Sequence, residues 1–128
     1  MSRQHDLEAL ARLSVDCGYR LHRDFGPGLL ESVYEALLAE YLQDAGLSVA
    51  RQVRVPVTYK DKVLEEAFRA DLLIELKSVE RISPVHAKQV LTYLRLMRLP
   101  LGLLMNFGQA TFKEGLKRVA NDYYGGFS

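Results

Sequence analysis

FRADLLIELKSVE, residues 68–80, decides how the chain is read. One set of alternate residues is Phe68, Ala70, Leu72, Ile74 and Leu76; the other is Arg69, Asp71, Leu73, Glu75 and Lys77. A period of two is that of a β-strand, so Asp71, Glu75 and Lys77 fall on one face. Two carboxylates and an ammonium on one strand face have two readings: oxygen ligands for a hard cation beside a basic group, or the solvated side of an amphipathic strand.

Downstream, Ser83-Pro84 is a helix start, with serine as N-cap and proline in the first turn. The helix is expected to run to about Met97, with Ala87, Val90, Leu91 and Leu94 as its apolar stripe, while His86, Gln89 and Tyr93 lie along another face. Pro100 stops it. LGLLMNF, residues 101–107, is a continuous apolar run, as in a buried strand. Strand, helix and strand in this order predict a parallel pair with a right-handed crossover. A last helix is expected over about 110–121, ahead of the tail NDYYGGFS.

Upstream, Leu7, Leu10, Ser14, Cys17 and Leu21 have helical spacing over about 2–24, and Ser2 suits its cap. FGPG, 25–28, breaks the chain. A second helix over about 29–45 presents Leu30, Val33, Leu37, Leu38, Tyr41 and Leu42, and Gly46 suits the left-handed position after its end. VARQVRVPVTY, 49–59, alternates as a strand; Pro56 places it at an edge or a bulge. KDK, 60–62, is a turn into a hairpin partner from Val63. The expected order is α-α-β-β-(β)-α-β-α: an α/β fold with a small mixed sheet flanked by helices.

The 128 residues suit a single domain spanning 1–128, and 48% hydrophobic with 26% charged residues suits a globular core. A net charge of +1 excludes a global basic field, so any contact with nucleic acid rests on a local patch. One cysteine, Cys17, excludes a disulfide framework or a cysteine-rich zinc site; on an apolar helix face it reads as core. No apolar run reaches the ~18–20 residues of a membrane span. The first residues lack the apolar stretch of a secretory leader, so a cytoplasmic protein is expected.

GPGLLESVY, 26–34, contains Gly28-x-x-Glu31-x-x-Tyr34. With RADLL, ELKSVE, His86-x-x-Gln89 and LGLLMNFG in the same order, the chain resembles the GxxExxY family, a branch of the PD-(D/E)XK nuclease-like superfamily, from about Phe25 to Val119. The resemblance implies a restriction-endonuclease-like core. It assigns Asp71 and Glu75 as metal ligands, Glu31 as a further carboxylate at the metal, Lys77 beside the attacking water and Gln89 as an accessory polar residue. It implies Mg²⁺ or Mn²⁺ as cofactor, phosphodiester hydrolysis as activity, and DNA or RNA as partner. Each residue also has a plainer reading. Glu31 suits the first turn of a helix, where the dipole favours an acid. Tyr34 suits a helix aromatic, and His86 a cap or surface position. His5 and His22 have no evident partner.

The superfamily pattern puts the aspartate and Glu-x-Lys on neighbouring strands, whereas here RADLLI runs straight into ELK. In one straight strand the α-carbons of Asp71 and Glu75 lie roughly 13 Å apart, at ~3.3 Å per residue. A shared cation needs oxygens within ~2.0–2.6 Å. Three outcomes follow: the strand bends; another carboxylate, such as Glu65, Glu66 or Glu31, replaces Asp71; or the fold persists without hydrolysis. In the last case the chain is a catalytically impaired module that binds nucleic acid or protein. Arg81, Lys88, Arg95 and Arg98 would then meet phosphate, or the Pro56 edge would form a homodimer.

Overall fold

The computed structural model describes residues 3–53, 58–59, 62–63 and 71–121. Expectations resting on Ser2, Pro56, Glu65, Glu66, Phe68, Arg69, Ala70 and the tail from Asp122 lie outside the described residues. The elements are α1 (Arg3–Phe25), α2 (Glu31–Asp44), β1 (Thr58–Tyr59), β2 (Lys62–Val63), β3 (Leu73–Lys77), α3 (Pro84–Met97), β4 (Leu101–Asn106), α4 (Phe112–Gly115) and β5 (Leu116–Ala120). β1 and β2 form a short antiparallel hairpin. The main sheet has the order β3-β4-β5, with β3 parallel to β4 and β4 antiparallel to β5.

β3, α3 and β4 form the expected β-α-β unit with a parallel pair. Glu75 lies opposite Leu104 and Lys77 opposite Asn106 in the parallel register. β4 is buried along its whole length. One side of the sheet packs Leu103, Met105 and Phe107 with Cys17 and Leu21 of α1 and Tyr34, Leu38 and Leu42 of α2. The other packs Leu104 and Val119 with Val90 and Leu94 of α3. Leu72, Ile74 and Leu76 join the first cluster and Leu73 the second, so period two holds through β3. Cys17 is core, fully buried.

Two expected elements differ. The last helix is only Phe112–Gly115, capped by Thr111 Oγ1, which accepts from the Glu114 N–H at 3.2 Å. The chain then becomes β5. A buried strand needs partners for its backbone groups on both edges, and β5 supplies those that β3 cannot reach. At the changeover, Gly115 sits so close to the Asn106 carbonyl that a β-carbon there would collide with it. The strand expected over 49–59 is not a strand at 49–53. Gln52 has φ 51°, in the left-handed region, and this breaks the extended run.

One buried side chain ties the sheet end together. Asn106 is fully buried. Its Oδ1 accepts from the N–H groups of Val79 at 2.9 Å and Gly108 at 3.1 Å. Its Nδ2 donates to the Val79 carbonyl at 2.8 Å and to Gln109 Oε1 at 3.0 Å. The segment leaving β3 is thereby fixed to the end of β4. Asn106→Leu is expected to lower unfolding free energy by about 2–4 kcal/mol in urea titrations, because it leaves buried groups unpaired. A change under ~0.5 kcal/mol would contradict this role.

Candidate active site

The GxxExxY segment is built around Tyr34, which is completely buried. Its hydroxyl donates to the Gly26 carbonyl and accepts from the Leu29 N–H at 3.2 Å. Its ring stacks on Phe107 with centroids 4.7 Å apart. Gly26 and Gly28 have φ of 67° and 114°, which lets the backbone fold back over the hydroxyl. Tyr34 is thus the post on which the loop before α2 is wound, and Glu31 follows as the first residue of that helix. Ser78 Oγ donates to the Leu29 carbonyl at 2.7 Å, joining this loop to the chain just after β3. These bonds set the N-terminal end of α2 beside the C-terminal end of β3.

Glu75 and Lys77 share a face of β3, with Lys77 Nζ 3.9 Å from Glu75 Oε1 and both side chains mostly buried, at 20% and 26% exposure for Lys77 and Glu75. Burial pushes the Glu75 carboxyl above its ordinary range, and the carboxylates of Glu31 and Glu35 push it further; Lys77 and His86 pull it down. Glu35, one turn after Glu31 on the same face of α2, is a residue that the sequence reading does not single out. The i, i+4 spacing from Glu31 is the signal that points to it. Its Oε2 accepts from Gln52 Nε2 at 3.3 Å and faces Arg51 Nη2 at 3.5 Å.

Glu31, Glu35, Arg51, Gln52, Asp71, Glu75 and Tyr93 line one open cleft of about 830 Å³ along β3. Asp71 is exposed, two residues ahead of β3, and also lines a smaller cavity of about 200 Å³ with Asp6 and Pro100. Among the described residues, Glu31 and Glu35 of α2 are carboxylates that push Glu75 up. Gln89 is exposed on α3, and its amide donates to Tyr93 Oη at 2.9 Å; Tyr93 rather than Gln89 lines the cleft. His86 serves as a cap, its Nδ1 accepting from the Ser83 N–H at 3.2 Å. His22 is buried, with Nε2 2.8 Å from the Gln109 carbonyl oxygen, so it too has a structural partner.

A strand carrying Glu-x-Lys at its end, parallel to a buried strand through a crossover helix and faced by a helix bearing carboxylates, points to one family. Residues 8–119 match the PD-(D/E)XK nuclease superfamily. The chain belongs to that superfamily. No curated protein matches the chain, and no solved structure does. Glu75-Leu76-Lys77 lies on β3, the strand parallel to the buried β4. No helix among the described residues is long and apolar enough to cross a membrane.

The raised Glu75 carboxyl has a measurable consequence. An acid whose folded-state pKa is raised binds its proton more tightly folded than unfolded. Stability is therefore highest below the ordinary carboxylate range and falls as pH rises through the raised value. Glu75→Gln is expected to raise Tm at pH 7, with the gain shrinking as pH falls through the raised value and gone below about 4.3, the ordinary glutamate value. A variant no more stable than the parent at pH 7 would contradict the burial argument.

Proposed function

We propose that the chain is a divalent-cation-dependent nuclease of the GxxExxY branch, working in the cytoplasm and hydrolysing phosphodiester bonds of DNA or RNA. The observation that carries this reading is the mostly buried Glu75–Lys77 pair at 3.9 Å, under the influence of two α2 carboxylates. Burial and like charge make the cleft hold more negative charge than its surroundings favour, which a hard cation would relieve.

The donors fit Mg²⁺ or Mn²⁺ in kind, since Glu75, Glu31 and Glu35 offer only oxygen. Among the described residues, no group of three histidine, cysteine, aspartate or glutamate side chains is gathered tightly enough to hold a metal ion. Glu75 and Glu31 are the proposed holders, with Glu35 behind them. The resemblance implies the set Asp71, Glu75 and Glu31; in this reading Asp71, ahead of β3, acts on the substrate strand or on a second cation rather than beside Glu75. A bound cation would supply charge for the phosphorane-like transition state and acidify water.

The remaining roles belong to the chain. Lys77 donates hydrogen bonds to the attacking water or to the phosphate oxygen on which charge develops. Glu75 keeps that ammonium in place. Gln89, through Tyr93, sets the α3 wall of the cleft. Water attacks phosphorus, the bond to the leaving oxygen breaks, the proton shed by the water passes to solvent, and the leaving oxygen takes a proton from solvent.

A second reading has its own support. With Asp71 ahead of β3 and no tight ligand set among the described residues, the same scaffold suits a module that binds nucleic acid without cutting it. Assays with Mg²⁺ and Mn²⁺ on single- and double-stranded DNA and RNA separate the two. The nuclease reading expects cleavage that EDTA abolishes and that Lys77→Ala and Glu75→Gln each lower by about 10²–10³-fold, the scale of removing one charge-stabilising group. By calorimetry, Glu31→Gln is expected to weaken Mn²⁺ binding more than Asp71→Asn does. Binding without cleavage by the parent chain would favour the second reading.

A further inference from the structure

Arg51 and Gln52 are consecutive, yet both side chains meet the same oxygen of Glu35, at 3.5 and 3.3 Å. Along an extended strand neighbouring side chains point to opposite faces. The left-handed φ of 51° at Gln52 turns the chain so that both reach one acceptor. Such a conformation is strained for a residue with a β-carbon, and strain of this kind concentrates where a side chain must be aimed. The Arg51–Glu35 pair offers little in return as a stabilising interaction. Arg51 is 47% exposed, and single half-exposed ion pairs contribute little to stability.

The cleft's charge supplies a reason. Its described walls carry the carboxylates of Glu31, Glu35, Asp71 and Glu75, and Arg51 is the one basic side chain among the described residues that line it. A phosphate backbone lying there would meet four acids, so its hold depends on whatever cation is available. Glu35 approaches one terminal nitrogen of Arg51, while a guanidinium carries five N–H donors in a planar fork suited to phosphate oxygens. Glu35 is itself held by Gln52, so it fixes Arg51 without saturating it.

We propose that Arg51 binds backbone phosphate along the cleft, apart from the phosphate at Lys77, and that Glu35 and the kink at Gln52 are its positioning elements. The ligand class is a nucleic-acid strand bound through its backbone, and the assignment rests on the nuclease-fold reading above.

The test is fluorescence anisotropy of a short labelled single-stranded DNA in EDTA, read across a sodium chloride series, with melting curves for each variant. Arg51→Ala is expected to weaken binding about tenfold at low salt. It should also flatten the slope of log K against log salt by about 0.7, the increment that one neutralised phosphate adds on a single strand. Arg51→Lys should keep the slope and weaken affinity only a few-fold, because charge remains but the fork does not. Glu35→Ala should loosen the guanidinium and weaken binding two- to threefold with the slope retained. A purely structural role for Arg51 would lower Tm and leave the slope alone, and that result would overturn the proposal. If the parent chain cleaves but Arg51→Ala keeps the parent slope, the Arg51 assignment fails and the nuclease reading stands. If the slope falls but the parent never cleaves with Mg²⁺ or Mn²⁺, the phosphate-binding role stands and hydrolysis fails. A parent chain that does not bind at low salt overturns the assignment outright.

Discussion

The candidate site depends on one buried hydroxyl. Tyr34 reaches back to the Gly26 carbonyl and the Leu29 N–H while its ring stacks on Phe107, the residue just after the central strand. A hydroxyl in an apolar core must be paired, and this one is paired to the backbone of the loop that precedes its own helix. The start of α2 therefore cannot drift from the sheet. Ser78 closes the arrangement from the other side by donating to Leu29, and Asn106 holds the next residue, Val79, by both its N–H and its carbonyl. Glu31, at the start of α2, and Lys77, at the end of β3, thus belong to two segments joined by fixed hydrogen bonds.

What that frame positions is a charge conflict. Glu75 is mostly buried with an ammonium 3.9 Å away, and two α2 carboxylates act on it. Burial dominates, so Lys77 does not fully compensate it. A fold arranged only for stability would put a neutral or apolar residue there. Retaining the charge sacrifices stability, as expected where residues serve chemistry rather than packing.

Much of the frame is legible in the sequence because it rests on local signals. Ser83-Pro84 starts α3, Pro100 lies beyond its end, and the apolar run 101–107 is the buried strand. Gly28-x-x-Glu31-x-x-Tyr34 is legible as a motif, but the work of Tyr34 is not: which backbone groups a buried hydroxyl meets is a tertiary fact. Glu35 escapes a motif reading although it lies one helical turn from Glu31. The end of the chain misleads because 110–121 can follow a helical pattern, whereas the otherwise unpaired edge of β4 determines that Leu116–Ala120 is a strand. The alternation over 49–53 is real, but the left-handed Gln52 cancels it. The short Asp71–Glu75 spacing is legible as a departure from the superfamily pattern. Asp71 lies ahead of the strand, and among the described residues acids acting on Glu75 come from α2.

The central claim is therefore that, among the described residues, the acids acting on Glu75 are on α2. It is tested most directly by carbon-detected NMR titration of the Glu75 carboxyl in EDTA, in the parent chain, Glu31→Gln and Asp71→Asn. The account predicts a raised pKa in the parent, a lower one in Glu31→Gln, and no change in Asp71→Asn. A Glu75 titration that ignores Glu31→Gln and moves with Asp71→Asn would contradict it.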